Sequence, residues 1–146
     1  MKTETAFWDT SALFPLCCNQ LVTGAARHTK RQFPRIVAWW GTSVEIHSSI
    51  ARLLREAAID DKQKLFTRRR WNSLIDGIDI IAPTTKLLDI AIDLPEAHAV
   101  RSLDAFQLAA ALVWCREKPR NRPFISADVK LADAANNAGF DAIVLS

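Results

Sequence analysis

The chain has 146 residues, of which 49% are hydrophobic and 24% are charged, and its formal net charge is +3. This length fits one domain with a real hydrophobic core, and four glycines and six prolines are too few for a flexible linker or a low-complexity tail. This length and composition predict a single domain over residues 1–146. A net charge this small does not by itself indicate a nucleic-acid partner.

The first half of the chain alternates short apolar segments with longer amphipathic ones. Residues 5–8 are typical of a buried strand ending at Asp9, and a helical stretch is expected from there to about Arg31. Residues 36–40 predict a second buried strand, and residues 41–43 supply a turn and a hydroxyl N-cap for the next helix. The apolar face of that helix consists of Ile46, Ile50, Leu53, Leu54 and Ala57.

The second half continues the same alternation. The pattern predicts, in order, a charged helix over 60–74, a weaker strand over 78–81, a helix from Thr84 or Thr85 to about Leu94, an apolar helix over 103–114 capped by Ser102, a strand over 124–126, a helix over 129–138 ended by Gly139, and a strand over 142–145. The apolar helix is hydrophobic on nearly all sides, so we expect neighbours to cover more than one of its faces. Short apolar strands between helices predict an α/β fold with a parallel sheet and helices on both faces.

No segment is typical of a membrane span or a secretion signal. The longest uncharged stretch, residues 10–26, contains Pro15 and several polar residues, which disfavours a membrane span. A lone Lys2 followed by Glu4 and Asp9 disfavours a secretory signal. The sequence predicts a cytoplasmic protein without membrane association.

Cysteine and histidine do not indicate a metal site. Cys17 and Cys18 are neighbours and Cys115 lies in an apolar stretch, which predicts reduced thiols in a core and not a disulfide framework. The three histidines are scattered along the chain, so no zinc site is expected.

Four acidic residues lie where a parallel sheet would collect them. In such sheets, ligands bind beyond the carboxyl ends of the strands. Asp9 directly follows the first strand, and Asp128 comes two residues after Ser126 at the end of a later strand. Glu45 lies in the first turn of the helix after the second strand, and Asp104 opens the apolar helix. With parallel topology, all four belong to one edge of the sheet.

Each acid also has a purely structural explanation. Acids at an N-cap or in a first helical turn are stabilised by free amides and by the helix dipole, and singly Asp104 and Asp128 are more often caps than ligands. Asp9 is harder to explain in this way, because a buried acid after an apolar strand is costly without a partner. Together, clustered carboxylates repel one another and need cations, and oxygen ligands favour Mg²⁺ or Mn²⁺ over zinc. Such a site suits phosphodiester hydrolysis, in which metal ions activate a water and stabilise the leaving oxygen.

Four segments around these acids resemble, in order, the acidic motifs of PIN-domain nucleases. They are residues 7–13 (FWDTSAL), 43–48 (SVEIHS), 103–111 (LDAFQLAAA) and 124–128 (FISAD). Each motif is weak alone, but four in sequence cover nearly the whole chain. The compact size is similar to that of VapC-type toxins, which are ribonucleases neutralised by a cognate antitoxin. Residues 60–94 carry no signature of the family.

The resemblance implies a fold, a cofactor, partners and a set of site residues. The fold would be a three-layer α/β/α sandwich with a central parallel sheet, and the cofactor Mg²⁺ or Mn²⁺. The partners would be an RNA substrate, an antitoxin and a second copy in a homodimer. Carried over by position, the acidic quartet around the metal is Asp9, Glu45, Asp104 and Asp128, with Ser11 orienting an acid or a metal-bound water and Ser126 at a position often held by threonine.

Other functions stay open at this point. A PIN-type nuclease could have a housekeeping role in RNA maturation, and a PIN-like fold could serve only for binding. Phospho-acceptor chemistry at Asp9 is weaker, because the familiar aspartyl phosphatases carry a second acid two residues on, where this chain has Ser11.

Three features outside the quartet have two interpretations each. The basic run 68–70 could contact phosphates or an acidic antitoxin segment, or form a solvated helix face with Trp71 turned inward. Trp39 and Trp40 alternate across a strand, so one of them could face a dimer partner or a covering helix. His47 could carry protons beside Glu45, or be an ordinary surface or hydrogen-bonded histidine.

Overall fold

A sheet of five parallel strands forms the centre of the structure, a computed structural model that describes residues 4–146. The strands are β1 (Thr5–Trp8), β2 (Arg35–Trp39), β3 (Asp79–Ile81), β4 (Pro123–Ser126) and β5 (Asp141–Val144). The helices are α1 (Thr10–Cys17), α2 (Thr23–Gln32), α3 (Thr42–Arg55), α4 (Asp61–Ile75), α5 (Thr85–His98), α6 (Ser102–Trp114) and α7 (Val129–Ala138).

The order of the strands creates a switch point beside the central strand. The sheet runs β3-β2-β1-β4-β5, so the chain first adds strands on one side of β1 and then returns to add two on the other side. In the register, Phe7 of β1 pairs with Val37 of β2 and with Phe124 of β4. Open α/β sheets bind ligands at such a reversal, outside the carboxyl ends of the strands.

Helices cover both faces of the sheet. Alternating residues of the strands divide the core into two clusters, because successive side chains of a strand point to opposite faces. Trp8, Ile36 and Ile125 pack on the side of α1 to α4, whereas Phe7 and Phe124 pack on the side of α5 to α7, with ring centroids 5.3 Å apart. The α/β class and the three-layer α/β/α sandwich that the sequence predicted are confirmed.

The helical stretch expected from Asp9 to about Arg31 is wrong in one respect, because it is interrupted. Two helices, α1 and α2, are separated by residues 18–22. The hydroxyl of Thr23 closes this connection, since it accepts a hydrogen bond from the Gln20 amide and donates to the Pro15 carbonyl, each at 2.8 Å. These two hydrogen bonds stabilise a turn where the sequence pattern had predicted a continuous helix.

Two predicted hydroxyl caps are also wrong. The N-cap of α3 is Gly41 and that of α6 is Arg101, and neither makes a side-chain capping bond. Thr42 and Ser102 instead begin their helices. Of the two alternatives for α5, Thr84 is the cap, with its hydroxyl accepting from the Leu87 amide at 3.1 Å.

Helix α5 is longer than the sequence indicated. It continues past Leu94 through Pro95 and ends at His98, where Ala99 takes a left-handed conformation with φ of 54°. Helix α3, in contrast, is shorter than the sequence indicated. It ends at Arg55, so Ala57, which was predicted to belong to its apolar face, lies beyond the helix and is exposed.

Two further expectations about the core are confirmed. Trp71 is turned inward with 1% of its surface exposed, while Arg68 and its two basic neighbours are exposed. All three cysteines, Cys17, Cys18 and Cys115, are buried and free.

None of the helices in residues 4–146 combines the length and the apolar character needed to cross a membrane. The longest, α4, has 15 residues and carries several charges. Lys2, the lone basic residue near the start of the sequence, lies outside the described residues.

Candidate active site

The four predicted acids line one cavity at the carboxyl edge of the sheet. Asp9 follows β1 and Asp128 follows β4, so these two flank the switch point. Glu45 and Asp104 lie in the first turns of α3 and α6, which belong to opposite helical layers. The cavity has a volume of about 380 Å³. Four separate parts of the chain thus contribute one carboxylate each to the same space.

Asp9 is the most buried acid of the four, with 2% of its surface exposed. Its Oδ1 accepts hydrogen bonds from the Ser11 hydroxyl at 2.7 Å and from the Ala12 amide at 3.0 Å, and its Oδ2 accepts from the Ser126 hydroxyl at 2.7 Å. Burial raises the pKa of Asp9 to about 7 against the lowering effect of these bonds, and the charge of Asp128 adds to the rise. Asp9 is therefore a carboxyl group held in one orientation and poised to titrate near neutral pH.

The two serines join β1 to β4. Their hydroxyl oxygens lie 3.2 Å apart, and the Ser11 hydroxyl accepts from the Ala127 amide at 2.8 Å. The Ser126 hydroxyl, which is fully buried, accepts from the Asp128 amide at 3.0 Å. Both serines therefore fix the Asp9 carboxylate and connect it to the backbone that carries Asp128.

Asp128 lines the cavity and caps a helix at the same time. Its Oδ1 accepts from the amides of Lys130 at 3.0 Å and Leu131 at 3.3 Å, which satisfies two free donors at the start of α7. Asp128 is therefore a helix N-cap, as its sequence position suggested, and it still lines the cavity with the other three acids.

Gln107 is a site residue that the sequence reasoning did not single out. Its side chain is 1% exposed, and its Nε2 lies 3.0 Å from Glu45 Oε2, 2.9 Å from Thr10 Oγ1 and 3.1 Å from Thr42 Oγ1. Its Oε1 is buried without a hydrogen-bond partner among the described residues. A signal was present, because Asp104 and Gln107 are the only polar residues of the stretch 103–114 and lie three positions apart, on one side of the helix.

If the cavity is catalytic, the Gln107 amide should affect its activity through Glu45. In Gln107→Leu, Glu45 loses a donor that lowers its pKa, and we expect activity to fall about 10- to 100-fold, the scale for groups that orient ligands. Because the pKa of Glu45 rises further, the acidic limb of the pH–activity profile should move to higher pH. A loss of stability alone, about 1–3 kcal/mol for the unpaired polar groups, would not move that limb, so an unshifted profile would contradict the role.

The carboxylates repel one another with no cation at salt-bridge distance. Over residues 4–146 the one ion pair joins Lys64 Nζ and Asp61 Oδ1 at 3.7 Å, and neither residue lines the cavity. Burial raises the pKa values of Glu45 and Asp104, and the charge of Asp104 adds to the first rise. The charge of Asp128 adds to the second, against a lowering by Arg101. Positive charge entering the cavity would relieve this repulsion.

The chemical types of the side chains in the cavity are those that Mg²⁺ prefers as ligands. Within the described chain, no three His, Cys, Asp or Glu side chains converge closely enough to hold a metal ion by themselves. Mg²⁺ does not need such a cage, because it keeps several waters and is usually held by one or two carboxylates. The lining of the cavity also supplies hydroxyl oxygens and the oxygen of an amide, which are hard ligands, and it contains no thiol or imidazole. The donor set therefore suits Mg²⁺ or Mn²⁺.

His47 does not belong to this cavity. After Glu45, the next residues of α3 that line the cavity are Ser48 and Ser49. Residues two positions apart on a helix differ by about 200° in direction, so Glu45 and His47 point to different sides of α3. The structure thus gives no support to His47 as a proton carrier beside Glu45.

No family model matches the chain, and no curated protein matches it.

Proposed function

We propose that this protein is a metal-dependent endoribonuclease that hydrolyses phosphodiester bonds in RNA. The observation that carries the proposal is the cavity at the switch point, which Asp9, Glu45, Asp104 and Asp128 line without a protein cation at salt-bridge distance in the described chain. The four motifs that resemble those of PIN-domain nucleases support RNA as the substrate.

Several acids of the site and the residues that hydrogen-bond to them have distinct tasks in such a reaction. Asp9 and Asp128 would hold a divalent ion at the switch point, with Ser11 and Ser126 keeping the Asp9 carboxylate in one orientation. Gln107 donates to Glu45 and keeps it in the cavity wall. Divalent ions bound there would activate a water and stabilise the leaving oxygen.

Phospho-acceptor chemistry at Asp9 lacks a residue that the familiar aspartyl phosphatases carry. Those enzymes have a second acid two residues after the nucleophile, where this chain has Ser11. The Ser11 hydroxyl donates to Asp9 Oδ1 at 2.7 Å and so orients the carboxylate instead.

We further propose, on the resemblance to VapC-type proteins, that the nuclease is the toxin of a toxin–antitoxin pair. This role brings a cognate antitoxin and a homodimer as expected partners. A short open reading frame directly upstream that encodes a small DNA-binding protein would support the toxin role. Its absence would favour a housekeeping nuclease of RNA maturation.

The first test is a cleavage assay on total cellular RNA with the purified, partner-free protein. We expect discrete fragments with Mn²⁺ or Mg²⁺, none with chelator, and none from the Asp9→Asn or Asp104→Asn variants. Calorimetric titration with Mn²⁺ is run in parallel. Metal binding without cleavage of any RNA, beside an active control nuclease, would contradict the nuclease; absence of both would favour a fold retained only for binding.

A thermal-shift experiment tests Asp104 separately from catalysis. Asp104→Asn should melt at a higher temperature than the parent without metal, because one of the repelling charges is gone. The parent should gain about 2.7 kcal/mol at a metal concentration 100 times its Kd, and the variant should gain less. Equal metal-induced shifts in the two proteins would count against Asp104 as a ligand.

A further inference from the structure

An apolar groove adjoins the acid cavity, and we call it the Trp40 groove. It has a volume of about 580 Å³, within the range of about 300–1,000 Å³ typical of small-molecule sites. Its walls are the end of β2 and the starts of α3, α5 and α6. Val44, Glu45 and Leu103 line both the groove and the acid cavity. The two spaces are therefore neighbours with a common wall.

The groove carries large apolar side chains that lack a cover. Trp40 is 59% exposed, Val44 73% and Leu103 60%. Scattered single apolar residues on a surface are ordinary, but a contiguous patch of them marks a binding site. Glu45 is the one ionisable group in the lining, so the groove suits a neutral, flat, apolar ligand.

The Trp40 ring stands on a rigid support. Its backbone amide donates to the Ile81 carbonyl at 3.1 Å, and its ring meets the Trp39 ring edge-on with centroids 6.2 Å apart. Trp39 is itself buried and stacks on Phe106 at 5.4 Å. Gly41 allows this arrangement, because a Cβ there would overlap the indole nitrogen of Trp39. An aromatic platform held in place loses little entropy when a ligand stacks on it.

We propose that the Trp40 groove binds an unpaired nucleobase of the RNA next to the phosphodiester that is cleaved. The inference rests on the proposed function and names a specificity site for it. A nucleotide joins a charged phosphate to a flat base through one sugar, and the protein places a carboxylate cavity beside an aromatic groove. A base can stack on Trp40 only when it is free of its pairing partner, so the groove selects single-stranded RNA.

The shared wall favours substrate over a protein segment as the occupant. Glu45 and Leu103 belong to both spaces, so a protein partner seated permanently in the groove would cover part of the acid cavity. An RNA substrate can occupy the groove without blocking the acid cavity, because it binds there during cleavage and then leaves. A second copy of this chain is the competing occupant, and the experiment distinguishes the two.

The test uses adenosine, with ribose 5-phosphate as the matched ligand without a base. Both are titrated in chelator into ¹⁵N-labelled protein, whose five tryptophans give separate indole N–H signals; loss of one signal in Trp40→Phe assigns it. Adenosine should shift the Trp40 signal and ribose 5-phosphate should not. This measurement needs neither metal nor cleavage.

A binding assay measures how much Trp40 contributes to RNA affinity. The affinity for a fluorescein-labelled single-stranded oligoadenylate, measured by anisotropy in chelator, should fall about 5- to 100-fold in Trp40→Ala, the scale of one base–aromatic stack. Trp40→Phe should lose less, because a smaller ring still stacks. Phe66→Ala is the matched control, since Phe66 is 60% exposed on α4 and does not line the groove; it should bind like the parent.

The outcomes separate this inference from the nuclease itself. An unmoved Trp40 signal, with Trp40→Ala binding RNA as well as Phe66→Ala does, overturns the groove even if metal-dependent cleavage is intact. If Trp40→Ala also turns a dimer into monomers by light scattering while adenosine has no effect, the groove is an interface between copies. Adenosine binding at Trp40 in a protein that cleaves no RNA supports the groove and contradicts the nuclease.

Discussion

Replacing Asp9 by asparagine should stabilise the metal-free protein by up to about 4 kcal/mol near pH 8. The pKa of Asp9 rises from 3.8 to about 7 on folding, and each pKa unit corresponds to about 1.36 kcal/mol. For a protein of this size the melting temperature should rise by about 10 °C. The neutral amide retains an oxygen for the Ser11 and Ala12 donors, and the Ser126 hydroxyl can turn to the Asp128 carbonyl at 3.2 Å.

The pH dependence of stability gives the sign of this effect. Because the folded state binds the Asp9 proton more tightly than the unfolded state, the parent loses stability as the pH rises from about 4 to about 7. Without an ionisable group at this position, Asp9→Asn should show a flatter curve. Thermal melts in chelator across this range measure the difference, with Asp133→Asn as a control, since Asp133 is exposed on α7 and does not line the cavity. Parallel curves for the Asp9 variant and the parent would contradict the burial argument.

Asp128→Asn should reduce metal-dependent cleavage about 10²- to 10³-fold, the scale for removing one group that stabilises charge in the transition state. The substitution separates the two tasks of Asp128, because asparagine caps a helix as well as aspartate does. The hydrogen bonds to the Lys130 and Leu131 amides should therefore persist, and the fold should be unchanged. Kinetics on a defined RNA measure the loss, and melting curves check that stability is retained.

Another aspartate N-cap provides the matched control for that variant. Asp60 caps α4 in a capping box with Gln63 and lies outside the acid cavity. Asp60→Asn should leave cleavage at the level of the parent. If Asp128→Asn cleaves as well as Asp60→Asn, Asp128 is only a cap and the charge of the site lies with the other three acids.

Much of the fold follows from local pattern. Strands such as β1 are short apolar runs, and helices such as α3 carry their hydrophobic residues at helical spacing. These elements could be predicted because each depends on residues that are close in sequence. The approach of Asp9 and Asp128 also follows, because parallel strands place their carboxyl ends at the same edge of the sheet. The break after Cys17 was not predictable in this way, since it depends on the hydroxyl of Thr23 reaching back to Pro15.

Local sequence pattern was enough to predict the α/β class, the alternation of strands and helices, and which acids lie near the strand ends. The strand order, the hydrogen bond from Ser126 to Asp9, 117 positions away, and the three polar contacts of Gln107 depend on how distant segments pack. The same packing makes the end of β2 and the starts of α5 and α6 enclose a groove around Trp40. Periodicity reports which face of an element is apolar, but contacts between distant segments arise only when those faces pack, and the site consists of such contacts.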